Sequence, residues 1–403
     1  MTRYAMTLIH PTNIPSTTHI VQDRWSILIT ILIVCAIAGL LWITFREQPK
    51  EHSRKLAYHC ASKGDSVRFF VELDDIYDES LNQKDKVARH RPTEETMSSQ
   101  QQKQEYYGAH IQSWHPYEKE AFMSLWNQTN AYMWSFSTQF PSHVVSACLN
   151  DWFQSNDTIL CIATDDVMEG GMPCTRGNAI LLPPSFRQSM VDAEQSGTGQ
   201  TGQEKRVRLC LTLCHEVIHI LQRHYRDEWQ SFYETFGIYP YHNIRQKIQQ
   251  KSPELLRTFQ QLPPYVSKIR RTNPDTYYDD DYIYQEEDGD CLYTTECYNQ
   301  STTLRDSSFT VFSIKRGTQT KKIPRILQKV STCKDLCHIQ IEHPHEWSAC
   351  IIAAAIVHTP PPSVVTNNAV TNQKNIPQLP RIHTTNVPYS TEQQEWIRQL
   401  FQV

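Results

Sequence analysis

The chain lacks a marked excess of charge of either sign. Its 403 residues include 39 basic and 43 acidic side chains, which gives a formal net charge of −4 at pH 7. The basic residues are scattered rather than gathered into a stripe, and no recognisable nucleic-acid-binding module is present. We therefore expect no nucleic-acid partner.

Hydrophobic residues are also scarce for a compact domain, at 39% of the chain. Such a low share indicates that part of the chain is polar tail or loop. We expect a polar tail at residues 1–24 and a second tail, rich in Pro, Thr and Asn, at residues 359–403. The second tail is predicted to be disordered and to end in a short helix.

One long run without charge follows the first tail. Residues 25–45 would form a helix about 31 Å long, which matches the hydrocarbon core of a bilayer. Trp25 and Trp42 lie near its two ends, where aromatic side chains favour the membrane interface. A cleaved signal peptide is the alternative, but the apolar run continues past the small residues Ala36 and Ala38. We therefore predict a single-pass membrane protein, anchored through residues 25–45.

The side of the membrane that holds the C-terminal part is left open. Basic residues are more frequent after the span than before it, which favours a cytosolic C-terminal part. Glycosylation sequons at Asn127, Asn156 and Asn299 would be used only on the opposite side. The twelve cysteines show no regular framework that would decide between the two.

Residues 46–105 are predicted as a stalk and linker. Their first part is charged and compatible with a helix, residues 67–73 fit a short strand, and the last part is rich in Gln, Ser and Thr. We therefore expect the main folded domain to occupy residues 106–358.

A short motif within this domain indicates a metal site. His215-Glu216-Val217-Ile218-His219 lies in an apolar run without Gly or Pro, which predicts a helix. Residues four apart share a helical face, so His215 and His219 can offer both imidazoles to one metal ion. Glu216 lies about 100° round the helix, where it can hydrogen-bond a metal-bound water. This set of side chains is what a zinc hydrolase needs.

The motif resembles the active-site helix of the zincin metallopeptidases, over five motif residues and about twenty residues of helix. The resemblance implies an α+β, zincin-like domain with a central HExxH helix and a mixed sheet. It implies that His215 and His219 are ligands of Zn²⁺ and that Glu216 is the general base. In zincins an edge strand before this helix binds the extended substrate, and residues 178–182 are the candidate. The motif is also loosely similar to uncharacterised HExxH proteins of large DNA viruses.

A catalytic zinc usually has a third protein ligand, which must come from elsewhere in the chain. The metzincin pattern is excluded, because it would require Gly at Gln222 and His at Tyr225. Glu234 is an alternative only if the chain turns back. On a continuous helix over residues 204–236, it would lie roughly 22 Å from His219.

Glu346 is the preferred third ligand. Pro344 predicts the first turn of a second helix, and a glutamate on a second helix is the gluzincin arrangement. Asp275, in an Asn-Pro-Asp turn, is the other alternative. Tyr277 or Tyr278 could stabilise an oxyanion near the zinc.

The leading hypothesis is a membrane-anchored zinc metallopeptidase that hydrolyses a peptide or protein substrate, with Glu216 as general base. One alternative is a membrane-anchored interaction protein whose zinc site is structural or inactive. Another is a zinc hydrolase of a non-peptide amide or ester. The sequence does not separate the first hypothesis from the third.

Overall fold

The computed structural model describes part of the chain. The described residues are 55–73, 77–91, 99–155, 157–197, 199–241, 270–275, 282–299, 303–304, 306–331 and 341–358. The predicted tails at residues 1–24 and 359–403 and the predicted membrane span at residues 25–45 lie outside them.

Helices and strands occur in runs along the described residues rather than in alternation. The helices are α1 (Lys63–Glu72), α2 (Tyr77–Ser80), α3 (Gln83–Ala88), α4 (Gln100–His110), α5 (Pro116–Gln139), α6 (Val144–Trp152), α7 (Pro184–Gln195), α8 (Gln200–His224), α9 (Arg226–Glu234), α10 (Arg325–Ser331) and α11 (Pro344–His358), with a short 3₁₀ turn at Met168–Gly171. The strands are β1 (Ala57–Cys60), β2 (Thr158–Ala163), β3 (Cys174–Arg176), β4 (Ala179–Leu182), β5 (Ile238–Pro240), β6 (Tyr282–Gln285), β7 (Cys291–Tyr298), β8 (Ser307–Ser313) and β9 (Thr318–Thr320). The predicted α+β class with a mixed sheet is confirmed.

The first sheet has the strand order β1-β2-β4-β3. Strands β1, β2 and β4 are parallel, and β3 runs antiparallel to β4. Gly177, with φ +54°, makes the tight turn that folds β3 back onto β4. The prediction that residues 178–182 form an edge strand is therefore wrong, because β4 lies between β2 and β3. Among the described strands, the outer position belongs to β3.

The second sheet is an antiparallel meander in the order β5-β6-β7-β8-β9. The segment 270–275 lies beside β7, where the Arg271 N–H donates to the Glu296 carbonyl at 2.9 Å. Arg270 also forms an isolated antiparallel bridge with Cys297. This sheet therefore fixes one end of a segment that runs towards the candidate site.

Helix α8 lies in the core between α5, α7 and α11. Leu209, Leu213, Val217 and Leu221 recur every fourth position and are buried, so they form one apolar stripe along the helix. Helix α11 is buried from Pro344 to Val357, as expected of a helix that is apolar on nearly all sides. Close packing of α8 and α11 brings the two predicted ligand-bearing helices together.

The stretch predicted as a stalk is part of this fold. Strand β1 pairs in parallel with β2, and the compact unit begins at Lys55. Leu56 is fixed on both sides, because its N–H donates to Asn130 Oδ1 at 2.9 Å and its carbonyl accepts from Trp126 Nε1 at 3.1 Å. The prediction of a stalk and linker over residues 46–105 is therefore wrong for the described part of that stretch.

The strand predicted at residues 67–73 is also wrong, because helix α1 covers most of it. Ser62 caps the helix by accepting a hydrogen bond from the Asp65 N–H. Ser66 and Phe70 are buried whereas Arg68 between them is exposed, which fits a helical period, because all three would share one face of a strand.

Among the described residues, no helix is both long enough and apolar enough to cross a membrane. The prediction of an anchor at residues 25–45 stays a prediction.

The position of β1 predicts where the domain can be truncated. A chain that starts at residue 106 loses β1 and the partners of Trp126 and Asn130, and we expect it to lose cooperative thermal unfolding. A chain that starts at Lys55 keeps these contacts, and we expect it to unfold cooperatively. Circular dichroism during heating measures both transitions. Equal cooperative transitions for the two truncated chains would contradict the assignment of β1 to the folded domain.

Candidate metal centre

The two histidines of the motif face each other on α8. The Nε2 atoms of His215 and His219 are 2.8 Å apart, as expected for side chains four residues apart on one helical face. The side chain of His219 is 0% exposed, whereas that of His215 is 18% exposed. The pair is therefore buried on one side and open to solvent through His215.

Glu346 reaches this pair from the first turn of α11. Its Oε2 lies 3.4 Å from the Nε2 of His215 and 3.4 Å from the Nε2 of His219. One donor atom from each residue lies within 4.8 Å of the others. Donor atoms bonded to one tetrahedral metal ion are about 3.3 Å apart, so these three residues, the ligand cluster, can hold a metal ion.

Gln222 fixes the orientation of His219. Its Oε1 lies 2.8 Å from His219 Nδ1, so the Nδ1–H donates to the amide and the Nε2 lone pair points to the cluster. The Gln222 amide nitrogen lies 3.1 Å from Tyr233 Oη, 3.1 Å from the His345 carbonyl and 3.0 Å from Ser348 Oγ. A buried network that joins α8, α9 and α11 therefore supports one ligand.

The other two ligands have contacts of their own. Asn273 Nδ2 donates to Glu346 Oε1 at 2.6 Å, which leaves Oε2 directed at the imidazoles. His215 Nδ1 lies 3.5 Å from the sulfur of Cys350, one turn after Glu346 on α11. Each of the three ligands is thus oriented by a second residue, as metal-binding side chains commonly are.

The charge balance of the cluster favours a cation. Glu346 is 1% exposed. Burial raises the pKa of its carboxyl, but the adjacent His219 and His215 outweigh burial and hold that pKa well below its usual range. A buried carboxylate of this kind is stable only beside positive charge, which a protonated imidazole or a metal ion can supply.

Glu216 lies beside the cluster with a free oxygen. Its side chain is buried, and its Oε2 has no hydrogen-bond partner among the described residues. Burial, and then the neighbouring Asp275 carboxylate, raise the pKa of Glu216 well above its ordinary value. A buried carboxyl with a raised pKa and an available oxygen can accept and release a proton.

The alternative third ligands lie elsewhere. Helix α8 ends at Tyr225, where the backbone leaves helical geometry, so the predicted continuous helix over residues 204–236 is wrong. Although the chain turns at this point, as the Glu234 alternative required, Glu234 is exposed at the end of α9, where it accepts from Gln230 Nε2 at 2.9 Å. Asp275 Oδ1 is occupied by the N–H of Thr175 at 2.6 Å and by its hydroxyl at 2.7 Å. Neither belongs to the ligand cluster.

The predicted oxyanion donors Tyr277 and Tyr278 lie outside the described residues.

Arg223 joins α8 to the outer strand of the first sheet. It follows His219 by one helical turn, and its guanidinium donates to Thr175 Oγ1, to the Gly177 carbonyl at 3.0 Å and to the Asp275 carbonyl at 3.2 Å. It therefore fixes the distance between β3 and the ligand cluster.

Sequence reasoning missed four residues beside the site. Gln222 had a usable signal, since it follows His219 by three residues and must share its face. Cys350 had the same signal relative to Glu346. Asn273 and Arg223 act through contacts between distant parts of the chain, and local sequence gives no sign of them.

No protein-family model, curated protein or solved structure matches this chain. A functional assignment therefore depends on the chemistry of the ligand cluster and its surroundings.

The Gln222 network predicts a loss of metal affinity on substitution. Gln222→Leu removes the acceptor that orients His219, and we expect metal to bind about 10- to 100-fold more weakly. Competition with a chromophoric chelator measures the dissociation constant. Gln230→Leu is the matched control, because it removes an exposed glutamine–glutamate bond on α9. Equal affinity in the two variants would show that Gln222 does not orient the ligand.

Proposed function

We propose that this chain is a zinc-dependent peptidase of the zincin type, in which Glu216 is the general base. The observation that carries the proposal is the pairing of two elements. One is a cluster of two imidazoles and one carboxylate with a side open to solvent. The other is the buried Glu216 carboxyl beside it, whose Oε2 has no partner among the described residues.

The donor set supports zinc. Catalytic zinc sites commonly have three protein ligands drawn from histidine and a carboxylate, with a fourth position left for water or substrate. Calcium and magnesium prefer oxygen ligands throughout. Two histidines and one carboxylate also occur in non-haem iron sites. The adjacent Glu216 favours hydrolysis, because a base is what attack by water needs.

Each side chain then has a defined task. A bound zinc ion would supply Lewis-acid polarisation of water and of the substrate carbonyl. Glu216 accepts the proton of the attacking water and later transfers it to the leaving amine nitrogen. Gln222 and Asn273 hold His219 and Glu346 in orientation. His215, the partly exposed member of the cluster, would lie on the side that a substrate approaches.

The surroundings of the cluster support an extended peptide as substrate. Strand β3 is the outer strand of its sheet, and Arg223 links it to α8 next to the ligands. An outer strand can add a further strand by backbone pairing. Because the Thr175 N–H already donates to Asp275, pairing at that residue requires Asp275 to move. Residues 25–45 would anchor this enzyme to a membrane, and the side of the membrane that holds the catalytic domain is not assigned.

The general-base role predicts the outcome of one isosteric change. Glu216→Gln keeps the shape of the side chain but cannot accept the proton, so we expect peptide cleavage to fall by about 10²- to 10⁴-fold while zinc stays bound. Glu204→Gln is the matched control on the exposed face of the same helix, where Glu204 accepts from Gln200 at 3.1 Å. Cleavage of a peptide library and metal content per chain measure both effects.

The same experiment separates the rival functions. Cleavage by Glu216→Gln at the rate of Glu204→Gln would contradict the general-base role. Zinc in the native chain without cleavage of any peptide would favour an inactive or structural site, or hydrolysis of a non-peptide amide or ester. A folded native chain that binds no zinc would overturn the metal site itself.

A further inference from the structure

The segment 270–275, here named the bridging segment, connects two buried parts of the molecule. Its first residues pair with β7, as described above. Its later residues reach the ligand cluster through Asn273. What holds its centre in place is therefore relevant to the geometry of the cluster.

The centre of the bridging segment is bound to a buried ion pair. The Thr272 N–H donates to Asp85 Oδ1 at 3.1 Å, and the Thr272 hydroxyl donates to Asp85 Oδ2 at 2.8 Å. Arg89 donates to the Thr272 carbonyl and pairs with Asp85 at 2.8 Å. The side chains of Asp85 and Arg89 are 0% and 3% exposed. Arg89 also pairs with Glu169 at 2.8 Å, so Thr272 is attached to a buried network of charges rather than to a surface loop.

The hydrogen-bond partners of the Asn273 side chain identify which amide atom is the oxygen and which is the nitrogen. Its Oδ1 accepts from the Asp275 N–H at 2.9 Å, so its Nδ2 is the atom that faces Glu346. At 2.6 Å from Glu346 Oε1, this donor occupies one of the two carboxylate oxygens. Only Oε2 remains directed at the two imidazoles.

A carboxylate held in this way binds a metal ion through one oxygen. Binding through both oxygens would fill a coordination position that a catalytic site leaves open for water or substrate. The hydrogen bond from Asn273 therefore decides how many positions Glu346 occupies.

We propose that Asn273 is a positioning residue that limits Glu346 to one-oxygen metal binding. The buried Asp85–Arg89 pair holds it in place through Thr272. This inference rests on the metal site of the proposed function. It adds that Asp85 and Arg89, which lie in the stretch predicted as a stalk and linker, support that site.

The test substitutes Asn273 and reads the coordination of the metal directly. Asn273→Leu removes the donor at nearly constant size in the full-length chain. The matched control is Asn299→Leu, which removes an exposed bond from asparagine to the Asp306 carboxylate, 3.2 Å long, at the end of β7. Zinc affinity is measured by chelator competition. The visible spectrum of the Co²⁺-loaded protein reports coordination number, because four-coordinate Co²⁺ absorbs more strongly than five-coordinate Co²⁺.

We expect Asn273→Leu to weaken zinc binding about 10- to 100-fold and to reduce the Co²⁺ absorption, as Glu346 turns both oxygens to the metal. Asn299→Leu should match the native chain in both measurements. Identical affinity and spectra in the two variants would overturn the role of Asn273.

The link to the ion pair has its own variant. Thr272→Val removes the hydroxyl bond to Asp85 and keeps the shape of the side chain, and we expect the same spectral change in smaller degree. Thr310→Val, which removes a buried hydroxyl bond within β8, is the control. A shift in the Asn273 variant without one in Thr272→Val would overturn the part of the inference that concerns Asp85 and Arg89.

Two further comparisons keep the test decisive. Thermal unfolding of each variant shows whether it is folded, and Asn273→Ala replaces Asn273→Leu if the leucine variant is not. The alanine also removes the donor to Glu346 Oε1 and adds neither bulk nor charge, so zinc binding should weaken by a similar factor. A native chain that binds neither Zn²⁺ nor Co²⁺ would overturn the metal site itself. A native chain that binds metal, with variants that bind it in the same way, would overturn only the role of Asn273.

Discussion

The buried carboxylate of Glu346 is the interaction on which the site depends. Taking such a group out of water without a positive partner costs roughly several kcal/mol. Close packing of α11 against α8 places this group between two imidazoles, and Asn273 donates to its second oxygen. The fold therefore places a buried carboxylate between α8 and α11, where it would be unstable if the imidazoles were absent.

Helix α8 meets two requirements with one sequence. Its apolar stripe, with Leu213 and Val217, buries the helix in the core. Another face carries His215, His219 and Gln222, and the Gln222 amide joins the ligands to α9 and α11. Because packing and ligand geometry share this helix, the ligands are held by a rigid element rather than by a loop, which suits a site that needs fixed geometry.

Local pattern predicted the parts of the site that depend on helical period. The spacing of His215, Glu216 and His219 determines their directions on any helix, and Pro344 marks the start of the helix that carries Glu346. Pairing between distant segments was missed. Composition gave no sign that β1 joins β2 or that Asn273 reaches Glu346, because both contacts depend on the folded topology.

Errors in the predicted elements have similar causes. A strand was predicted at residues 178–182 and forms at Ala179–Leu182, but the turn at Gly177 adds β3 outside it and makes it internal. The helix through the motif stops at Tyr225, although no Gly or Pro marks the place. A tertiary bond from the Tyr225 hydroxyl to Asp151, 2.7 Å long, accompanies this break and is invisible to a local pattern.

X-ray absorption at the zinc edge of the metal-loaded chain tests the central claim most directly. The structure predicts a first shell of nitrogen and oxygen only, with two imidazoles and one carboxylate oxygen at about 2.0–2.1 Å. A sulfur at about 2.3 Å would contradict the account, because it would mean that Cys350 replaces one of the three ligands. A shell without imidazole scattering would contradict it as well, since the metal would then lie away from His215 and His219.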